Sequence, residues 1–307
     1  KINGVIQNRL KNVLGIQIHG GGGKYLGLPE QFGRKKGEMF NYIIEKVKKR
    51  TSSWSAKHLS PAGKEIMLKS VVMAMPVYAM SCFKLPLGII AEIETLLMNF
   101  WWEKNAKKRG NPWIAWKRLQ YAKTEGGLGF RDLAKFNDAL LAKQVWRIIQ
   151  YPNSLFARVM KERYFKECSV LYAKEQRYQS YGWSSLLAGR DVIKKGSRFL
   201  VGDGKSIRLQ QDNVVALHPP RPLILNDPYT NGTLADFIST RGMCRYWKED
   251  AITRLISPLD KNHLLETYLT RQMIPDRLVW NYTPSGDYTV RSGYWLLMHD
   301  PTNTKPK

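Results

Sequence analysis

Cysteine is scarce in this chain of 307 residues, which has three, and none of them belongs to a Cys-x-x-Cys pair. Cys82, Cys168 and Cys244 are far apart in sequence, which argues against a disulfide framework and against a cysteine-based zinc site. This use of cysteine fits a reducing compartment. Long apolar runs are also missing. The longest stretch without a charge, residues 70–83, is shorter than the roughly 20 residues of a membrane span and contains Pro76.

Clustered carboxylates are absent as well, because the chain has no Asp-Asp and no Asp-x-Asp. Metal-dependent nucleotidyl transfer needs such carboxylates held close together. Glu92 and Glu94 are two residues apart on a predicted helix and do not face each other, and Glu249–Asp250 is typical of a solvated surface. The stretch at 202–206, "GDGKS", resembles the end of a phosphate-binding loop, but Phe199 stands where that loop needs glycine. The five histidines are scattered without ligand spacing. The sequence therefore predicts neither catalysis nor a metal site.

Negative charge is the remaining deficit. The 25 Asp and Glu residues against 49 Lys and Arg residues give a formal net charge of +24. Repulsion among so many cations destabilises a compact chain, and a polyanionic partner would relieve it. Nucleic acid is the first candidate and an anionic membrane surface is the second.

Three amphipathic helices are predicted between residues 37 and 103. In the first, apolar residues recur at helical spacing over 40–47, and four cations between 46 and 50 lie on its other face. The second opens with Ser60 as N-cap and Pro61 at the first position, and extends to Pro76. The third follows Pro86. Three such helices joined by short loops form a small bundle.

The remaining segments mix loops, helices and strands. We expect a hairpin of strands at 12–20 and 24–29, a loop at 104–132, and a long helix with an apolar face from Phe136 to Ile149. Residues 198–209 predict a hairpin around a Gly202–Asp203–Gly204 turn, and residues 277–292 predict another before a short apolar helix. The predicted fold class is mainly α (α+β), with a helical bundle, a short N-terminal β-hairpin and further β-hairpins in the C-terminal third.

Two segments combine cations with aromatic rings. Residues 34–57 carry eight Lys or Arg against two Glu, together with Trp54, and residues 101–118 carry four tryptophans among six cations. Cations neutralise phosphates, and aromatic faces can stack on unpaired bases. A tryptophan beside an apolar helix stripe more often belongs to the core. The lysines are therefore the better candidates for contact with nucleic acid.

Taken in order, several stretches resemble the reverse transcriptases of plant LINE-type (non-LTR) retrotransposons. They are "KYLGLP", "WSAKHLSPAGKEIMLKSVVMAMPVYAMSCFKLP", "NFWWEK", "GGLGFRDLAKFNDALLAKQVWRII", "RYF", "GRDVIKKG", "GDGKSIRL" and "YTVRSGYW". In that family these stretches follow the catalytic palm. The family's "ADD"-type aspartates and its endonuclease lie upstream and are not in this chain, and a Cys/His zinc-binding region is expected after "SGYW". The first residue is Lys1 rather than Met, so we expect a piece of a longer protein.

The resemblance implies four parts. Residues 1–30 are similar to the end of the palm with a primer-grip-like hairpin, and residues 31–105 to a helical thumb-like bundle. Residues 106–197 resemble a basic helical connector, and residues 198–307 a mixed hairpin and helix region that precedes the zinc-binding region.

The resemblance also implies a primer-grip role for the motif at 24–27, while the thumb cations would follow the template–primer backbone. Lys64 and Lys69 lie in the first turns of the second helix, where unpaired backbone amides also favour a phosphate. The candidate nucleic-acid-binding residues are Lys24, Tyr25, Leu26, Gly27, Arg34, Lys35, Lys36, Lys48, Lys49, Lys64, Lys69, Lys107, Lys108 and Arg109.

The function expected from charge and resemblance together is non-catalytic binding of a template–primer duplex or RNA–DNA hybrid. The expected partners are RNA, DNA or their hybrid, with no membrane. No cofactor is expected in this segment, although the parent polymerase would need Mg²⁺. The family resemblance implies the nucleus. The alternative is a domesticated retroelement fragment that serves as an RNA-binding or structural subunit of a larger ribonucleoprotein, for which an organelle is a second location.

Overall fold

A computed structural model describes residues 24–29, 37–53, 59–103, 111–227, 231–242 and 244–300, with four isolated positions before residue 14. The described part is mainly helical with small antiparallel two-stranded sheets, which confirms the predicted fold class. The predicted strand at Leu14, Ile16 and Ile18 lies outside the described residues. Within the described part, no helix is both long and apolar enough to cross a bilayer.

The chain divides into two compact units. The first comprises residues 1–79 and 85–131, and the second comprises residues 80–84 and 132–307. The division into palm end, thumb, connector and final region concerns function and stays a prediction.

A miniature hairpin begins the described part of the first unit. Strand β1 (Lys24–Tyr25) pairs antiparallel with strand β2 (Leu28–Pro29), and Tyr25 lies opposite Leu28. Leu26 and Gly27 form the turn, with φ of 49° and 81°. Positive φ at both central residues is the mark of a type I′ turn, which matches the twist of the flanking strands. The motif therefore folds back on itself, and the prediction that it is one return strand was wrong.

In the described part of the first unit, three helices begin where predicted: α1 (Asn41–Thr51), α2 (Pro61–Ser70) and α4 (Leu87–Trp102). Two short helices were not predicted. They are α3 (Val77–Cys82), whose last residues belong to the second unit, and α5 (Trp116–Leu119), which lies in the segment expected to be a loop. Helix α1 buries Ile43, Ile44 and Val47 and packs on α4. The hydroxyl of Ser60 accepts a hydrogen bond from the Gly63 amide at 3.2 Å, which confirms the predicted N-cap.

Helix α2 ends earlier than predicted. The helical pattern extends to Met75, but α2 stops at Ser70 and the chain tightens into a 3₁₀ turn at Val72–Ala74. Pro76 explains the change, because a proline at that position has no amide for the Val72 carbonyl and its ring would clash with it. The chain then restarts as α3.

The first core of the second unit is built from helices and large rings. Its helices are α6 (Leu133–Gln150), α7 (Leu155–Tyr164), α8 (Tyr181–Gly196) and α11 (Val290–Met298). Trp183 is fully buried and stacks on Tyr164 with ring centroids 4.5 Å apart. A Cβ atom on Gly189 of α8 would lie 2.4 Å from the backbone nitrogen of Ala142 on α6. Only glycine allows these two helices to approach so closely.

The strand pairing of the second unit corrects both predicted hairpins. Strand β3 (Ser197–Leu200) pairs antiparallel with β6 (Arg277–Trp280), about 80 residues away, rather than with residues 205–208. Phe199 lies opposite Leu278 in this register. Beyond β6 the amide of Trp280 bonds the Gly286 carbonyl at 2.7 Å, which closes a turn without a second strand.

A second core fills the C-terminal third. One true hairpin is present there, β4 (Ile238–Arg241) with β5 (Cys244–Trp247), and the helices α9 (Glu249–Leu255) and α10 (Pro258–Leu265) follow it. The buried side chains of this core come from the segments around these elements, including Ile207, Leu234 and Ile252.

Candidate nucleic-acid interface

The cationic face of α1 carries two of the predicted contact residues, Lys48 and Lys49. Ile43, Ile44, Val47 and Thr51 are buried, and the cations of the last two turns lie on the part of the helix that faces solvent. Lys46, Lys48, Lys49 and Arg50 are all exposed there. Cations near the carboxyl end of a helix also interact favourably with the helix dipole. The fold therefore presents four positively charged side chains at the surface of one short helix.

Lys48 has a carboxylate partner. Its Nζ lies 3.0 Å from Oε1 of Glu92 on α4, and the two side chains are 55% and 48% exposed. An exposed pair of this kind stabilises a protein by at most about 1 kcal/mol. A phosphate could therefore replace the carboxylate as the partner of Lys48 at small cost.

Lys64 lies in the first turn of α2, as predicted, and its side chain contacts the end of α4. Its Nζ donates a hydrogen bond to the backbone carbonyl of Glu103, just after α4, and lies 5.5 Å from the centre of the Phe100 ring. Burial lowers the pKa of Lys64, and the nearby Glu103 carboxylate opposes that change. The side chain satisfies a carbonyl at a helix end, and its contact with phosphate stays a prediction.

Lys69 belongs to a small ionic network. Its Nζ lies 2.7 Å from Oε1 of Glu65, one turn earlier on α2, and Lys123 reaches the same oxygen at 2.8 Å. These two hydrogen bonds, first that of Lys123 and then that of Lys69, hold the pKa of Glu65 below its usual value. Lys69 also lies 5.7 Å from the centre of the Phe130 ring. Two lysines around one carboxylate leave a net positive charge at this surface.

The hairpin turn presents backbone rather than charge. Leu26 is 73% exposed although it is apolar and adopts a left-handed conformation. A Cβ atom on Gly27 would meet nothing within 4 Å, so glycine is used there for its φ alone. The backbones of Lys24 and Tyr25 form β1. The other cations of this group, Arg34, Lys35 and Lys36, lie outside the described residues.

The tryptophans of the second basic segment divide between core and surface. Trp116 is buried and stacks on Phe130 at 4.9 Å, and Trp101 meets the same ring edge-on at 5.4 Å. Trp113 is 78% exposed. The core interpretation is therefore right for Trp116. The cations Lys107, Lys108 and Arg109 lie outside the described residues.

The stretch at 202–206, which resembles the end of a phosphate-binding loop, binds a carboxylate of the same chain. One carboxylate oxygen of Asp276 accepts hydrogen bonds from the amides of Gly202 and Gly204, at 2.7 and 2.8 Å. Its other oxygen accepts from the amide and hydroxyl of Ser206, at 3.0 and 2.8 Å. Four donors converge on one carboxylate, as they would on a phosphate. The sequence showed the turn but not its partner, which lies 70 residues later.

Clusters that could bind a metal ion are not found among the described residues, where no three His, Cys, Asp or Glu side chains come together. The described part of the candidate interface thus offers cations, exposed backbone and one exposed indole. Those groups can bind a polyanion and its bases, and they are not the groups that metal-assisted chemistry requires.

Comparison with known proteins gives two plant relatives. No protein-family model matches the chain. The "uncharacterized mitochondrial protein AtMg00310" of Arabidopsis thaliana is 40% identical over 151 residues, which are 49% of this chain and 98% of that protein. The "putative ribonuclease H protein At1g65750" of Arabidopsis thaliana is 32% identical over 274 residues, which are 86% of this chain and 43% of that protein.

The extent of these matches decides what they establish. Since the chain covers nearly all of the mitochondrial protein at 40% identity, it belongs to that protein's family. The chain spans less than half the length of the second relative. Both are plant proteins, which is consistent with the plant retroelement origin that the sequence motifs indicate.

Proposed function

We propose that this chain is the nucleic-acid-binding thumb and connector segment of a LINE-type reverse transcriptase. It holds a template–primer duplex or an RNA–DNA hybrid and performs no chemistry by itself. The observation that carries the proposal is the exposed cationic face of α1, set opposite the buried apolar face of the same helix. The excess of 24 positive charges along the chain points to the same class of partner.

The geometry of α1 suits a phosphate backbone. Lys46, Lys49 and Arg50 are related by i, i+3 and i+4, so their side chains are neighbours on the helix surface. Each can pair with a phosphate oxygen, and none of them distinguishes one base from another. The expected binding is therefore tolerant of sequence and sensitive to salt.

The relatives support the class of ligand. One of them carries the name of a ribonuclease, an enzyme that acts on RNA, and this supports RNA or RNA–DNA hybrid as the ligand. Catalytic aspartates of the polymerase and the Mg²⁺ they bind would belong to another part of the parent protein. For a retroelement polymerase we propose a nuclear location.

The mitochondrial relative favours a second candidate function. The match spans 98% of a protein named as mitochondrial, so about half of this chain corresponds to a nearly complete protein elsewhere. That relationship supports a domesticated fragment that binds RNA in an organelle as a subunit of a ribonucleoprotein. The full reading frame separates the two candidates, because an upstream "ADD"-type motif supports the polymerase segment.

Fluorescence anisotropy with a labelled RNA–DNA hybrid of about 20 base pairs tests the proposal. We expect nonspecific affinity with a Kd of about 10⁻⁴ to 10⁻⁶ M at physiological salt. Polyaspartate provides the control for net charge. If polyaspartate displaces the labelled hybrid as effectively as unlabelled hybrid does at the same concentration of charge, net charge alone explains the binding. That result would contradict an interface that fits the shape of the hybrid.

Primer extension tests the non-catalytic part of the proposal. The chain lacks adjacent or near-adjacent aspartates, so we expect no nucleotide addition with Mg²⁺ or Mn²⁺. The proposal would be wrong in this part if the purified chain extended a primer and if replacing one of its own acidic residues abolished that extension.

A further inference from the structure

A cavity of about 290 Å³ lies in the second unit. Its lining includes the strand pair Phe199 and Leu278, Tyr172 from the 3₁₀ turn at Val170–Tyr172, and the consecutive residues Asp212 and Asn213. The walls combine apolar faces with a few polar groups, which is the usual composition of a small-ligand site.

Asp212 is the unusual member of this lining. Its residue is only 4% exposed, and the Arg208 amide donates to its Oδ2 at 2.7 Å. Among the described residues, that amide is the only donor to the Asp212 carboxylate. Burial raises the pKa of Asp212 to about 6, although the Arg208 amide opposes this. A carboxylate can accept several hydrogen bonds, and a buried carboxylate that accepts only one destabilises the fold. Asp212 therefore keeps acceptor capacity, and it lines the cavity.

Cations stand beside the same cavity. Lys194 lines it, and the Nζ of Lys194 lies 5.8 Å from the centre of the Tyr172 ring. The guanidinium carbon of Arg208 lies 4.6 Å from the same ring, and Arg208 is exposed to solvent. Two cations next to one carboxylate disfavour a metal ion as the occupant and favour a ligand that also carries negative charge.

We propose that this cavity binds an unpaired guanine nucleotide of an RNA or DNA strand, whose adjacent N–H groups donate to Asp212 while Lys194 and Arg208 hold its phosphate. Guanine is the base whose pairing edge carries two neighbouring donors, N1–H and the 2-amino group, which match the two oxygens of a carboxylate. Adenine and cytosine place an acceptor nitrogen beside their amine, and that nitrogen would repel Asp212. Phe199 and Leu278 supply apolar surface for the base. This inference rests on the proposed function, because it adds a base contact to a protein that binds nucleic acid.

Oligonucleotides with a single variable base test the proposal without any mutation. The intact chain is titrated by anisotropy with labelled ten-residue oligothymidylate that has one central guanine, hypoxanthine, adenine or cytosine, and with the oligouridylate equivalents. We expect guanine to bind at least about fivefold more tightly than the others, since one good bidentate base contact discriminates by that much or more. Hypoxanthine lacks only the 2-amino group and is therefore the sharpest comparison. The two backbones distinguish RNA from DNA as the source of the base.

Asp212→Asn provides the second arm. An asparagine keeps an acceptor for the Arg208 amide but presents an amide donor where a second oxygen stood, so the guanine preference should fall to less than twofold. Asp287→Asn is the matched control, because Asp287 is exposed and the change in charge is the same. Affinity for RNA–DNA hybrid should be unchanged in both variants.

The outcomes separate the two proposals. Equal affinity of the unmutated chain for all four bases, or a guanine preference that survives Asp212→Asn, overturns the pocket while hybrid binding still supports the proposed function. Failure of the unmutated chain to bind hybrid overturns the proposed function and the pocket together. The comparison of guanine with hypoxanthine uses no variant, so it decides the question even if Asp212→Asn fails to fold.

Discussion

The ammonium of Lys48 lies 3.0 Å from a carboxylate oxygen of Glu92, which joins the cationic helix α1 to α4 inside the first unit. The pair lies at the cationic face of α1. One lysine of this face is held by a weak surface pair, and the neighbouring Lys49 and Arg50 extend into solvent. The protein therefore holds these cations in place without neutralising all of them, and a polyanion can bind to the remaining positive charge.

Reversal of charge at Lys49 and Arg50 should weaken hybrid binding. In Lys49→Glu with Arg50→Glu, two phosphate contacts become repulsive while the buried face of α1 is untouched. We expect weaker binding to every sequence and a salt slope smaller by about two units, one for each lost contact. Anisotropy titrations of the variant and the unmutated chain at several salt concentrations provide the measurement.

The matched control changes the same total charge elsewhere. The double variant Lys248→Glu with Lys261→Glu lowers the net charge of the second unit by four, the same change that Lys49→Glu with Arg50→Glu makes in the first unit. Lys248 donates to the Asp236 carbonyl and Lys261 pairs with Glu249, so thermal melting must confirm that the control is folded. Equal losses of affinity in the two variants would mean that net charge, rather than the α1 face, determines binding.

Close packing of α6 on α8 should make Gly189 intolerant of a methyl group. In Gly189→Ala the new Cβ would lie 2.4 Å from backbone atoms of Ala142 and Leu141, so the helices must separate. We expect a loss of about 3 kcal/mol or more in the free energy of unfolding of the second unit. Urea unfolding followed by tryptophan fluorescence measures it.

Gly88 provides the comparison for that experiment. It is an exposed helical glycine whose Cβ would meet nothing within 4 Å. Gly88→Ala should leave the first unit unchanged or up to about 1 kcal/mol more stable, because alanine loses less backbone entropy. Similar effects of the two substitutions would contradict the described contact between α6 and α8.

A buried carboxylate paired with Arg221 should make the stability of the second unit depend on pH in acid. Asp260 is fully buried, and its two oxygens accept hydrogen bonds from Arg221 at 2.7 and 2.6 Å, with a third from the Ile224 amide at 2.8 Å. Burial acts to raise the pKa of Asp260, but these hydrogen bonds outweigh it and hold the pKa below its usual value. The stabilisation is therefore complete above the unfolded pKa, about 3.9, and is lost as the pH falls through the folded value.

Asp260→Asn tests the sign of that dependence. At pH 7 the variant should lose about 2 to 3 kcal/mol of unfolding free energy, because the buried side chain at position 260 no longer offers a charged acceptor to Arg221. The difference from the unmutated chain should shrink as the pH falls below about 3.9 and through the lowered folded pKa of Asp260, where the carboxylate becomes protonated. Asp287→Asn, at an exposed carboxylate, should follow the unmutated profile. A difference that grows in acid would contradict the lowered pKa.

Local signals made the helices of the first unit predictable. Ser60 and Pro61 mark a helix start within four residues of sequence, and the apolar spacing of residues 40–47 fixes which face of α1 is buried. The outward position of Lys48 followed from the same periodicity. Lys64 was beyond this kind of reasoning, because its hydrogen bond to the Glu103 carbonyl depends on where α4 ends 39 residues later.

Distant pairings were not predictable for a related reason. The turn at 202–204 suggested a local hairpin, whereas β3 pairs with a strand about 80 residues away and Asp276 occupies the amides of the turn. A turn sequence indicates that the chain bends, but it does not indicate which segment pairs with the strand before the turn. The cavity around Asp212 depends on the same long-range pairing of Phe199 with Leu278, so no local pattern indicated it.

The salt dependence of hybrid binding tests the central claim most directly. The unmutated chain is titrated with one labelled RNA–DNA hybrid at five salt concentrations between about 50 and 200 mM. If six to ten phosphates are contacted, log Kobs falls linearly with log salt and affinity drops by about 10³ to 10⁵ across that range. An affinity that changes less than tenfold between about 50 and 200 mM would contradict the account, because cations that replace counterions on a phosphate backbone cannot give a flat response.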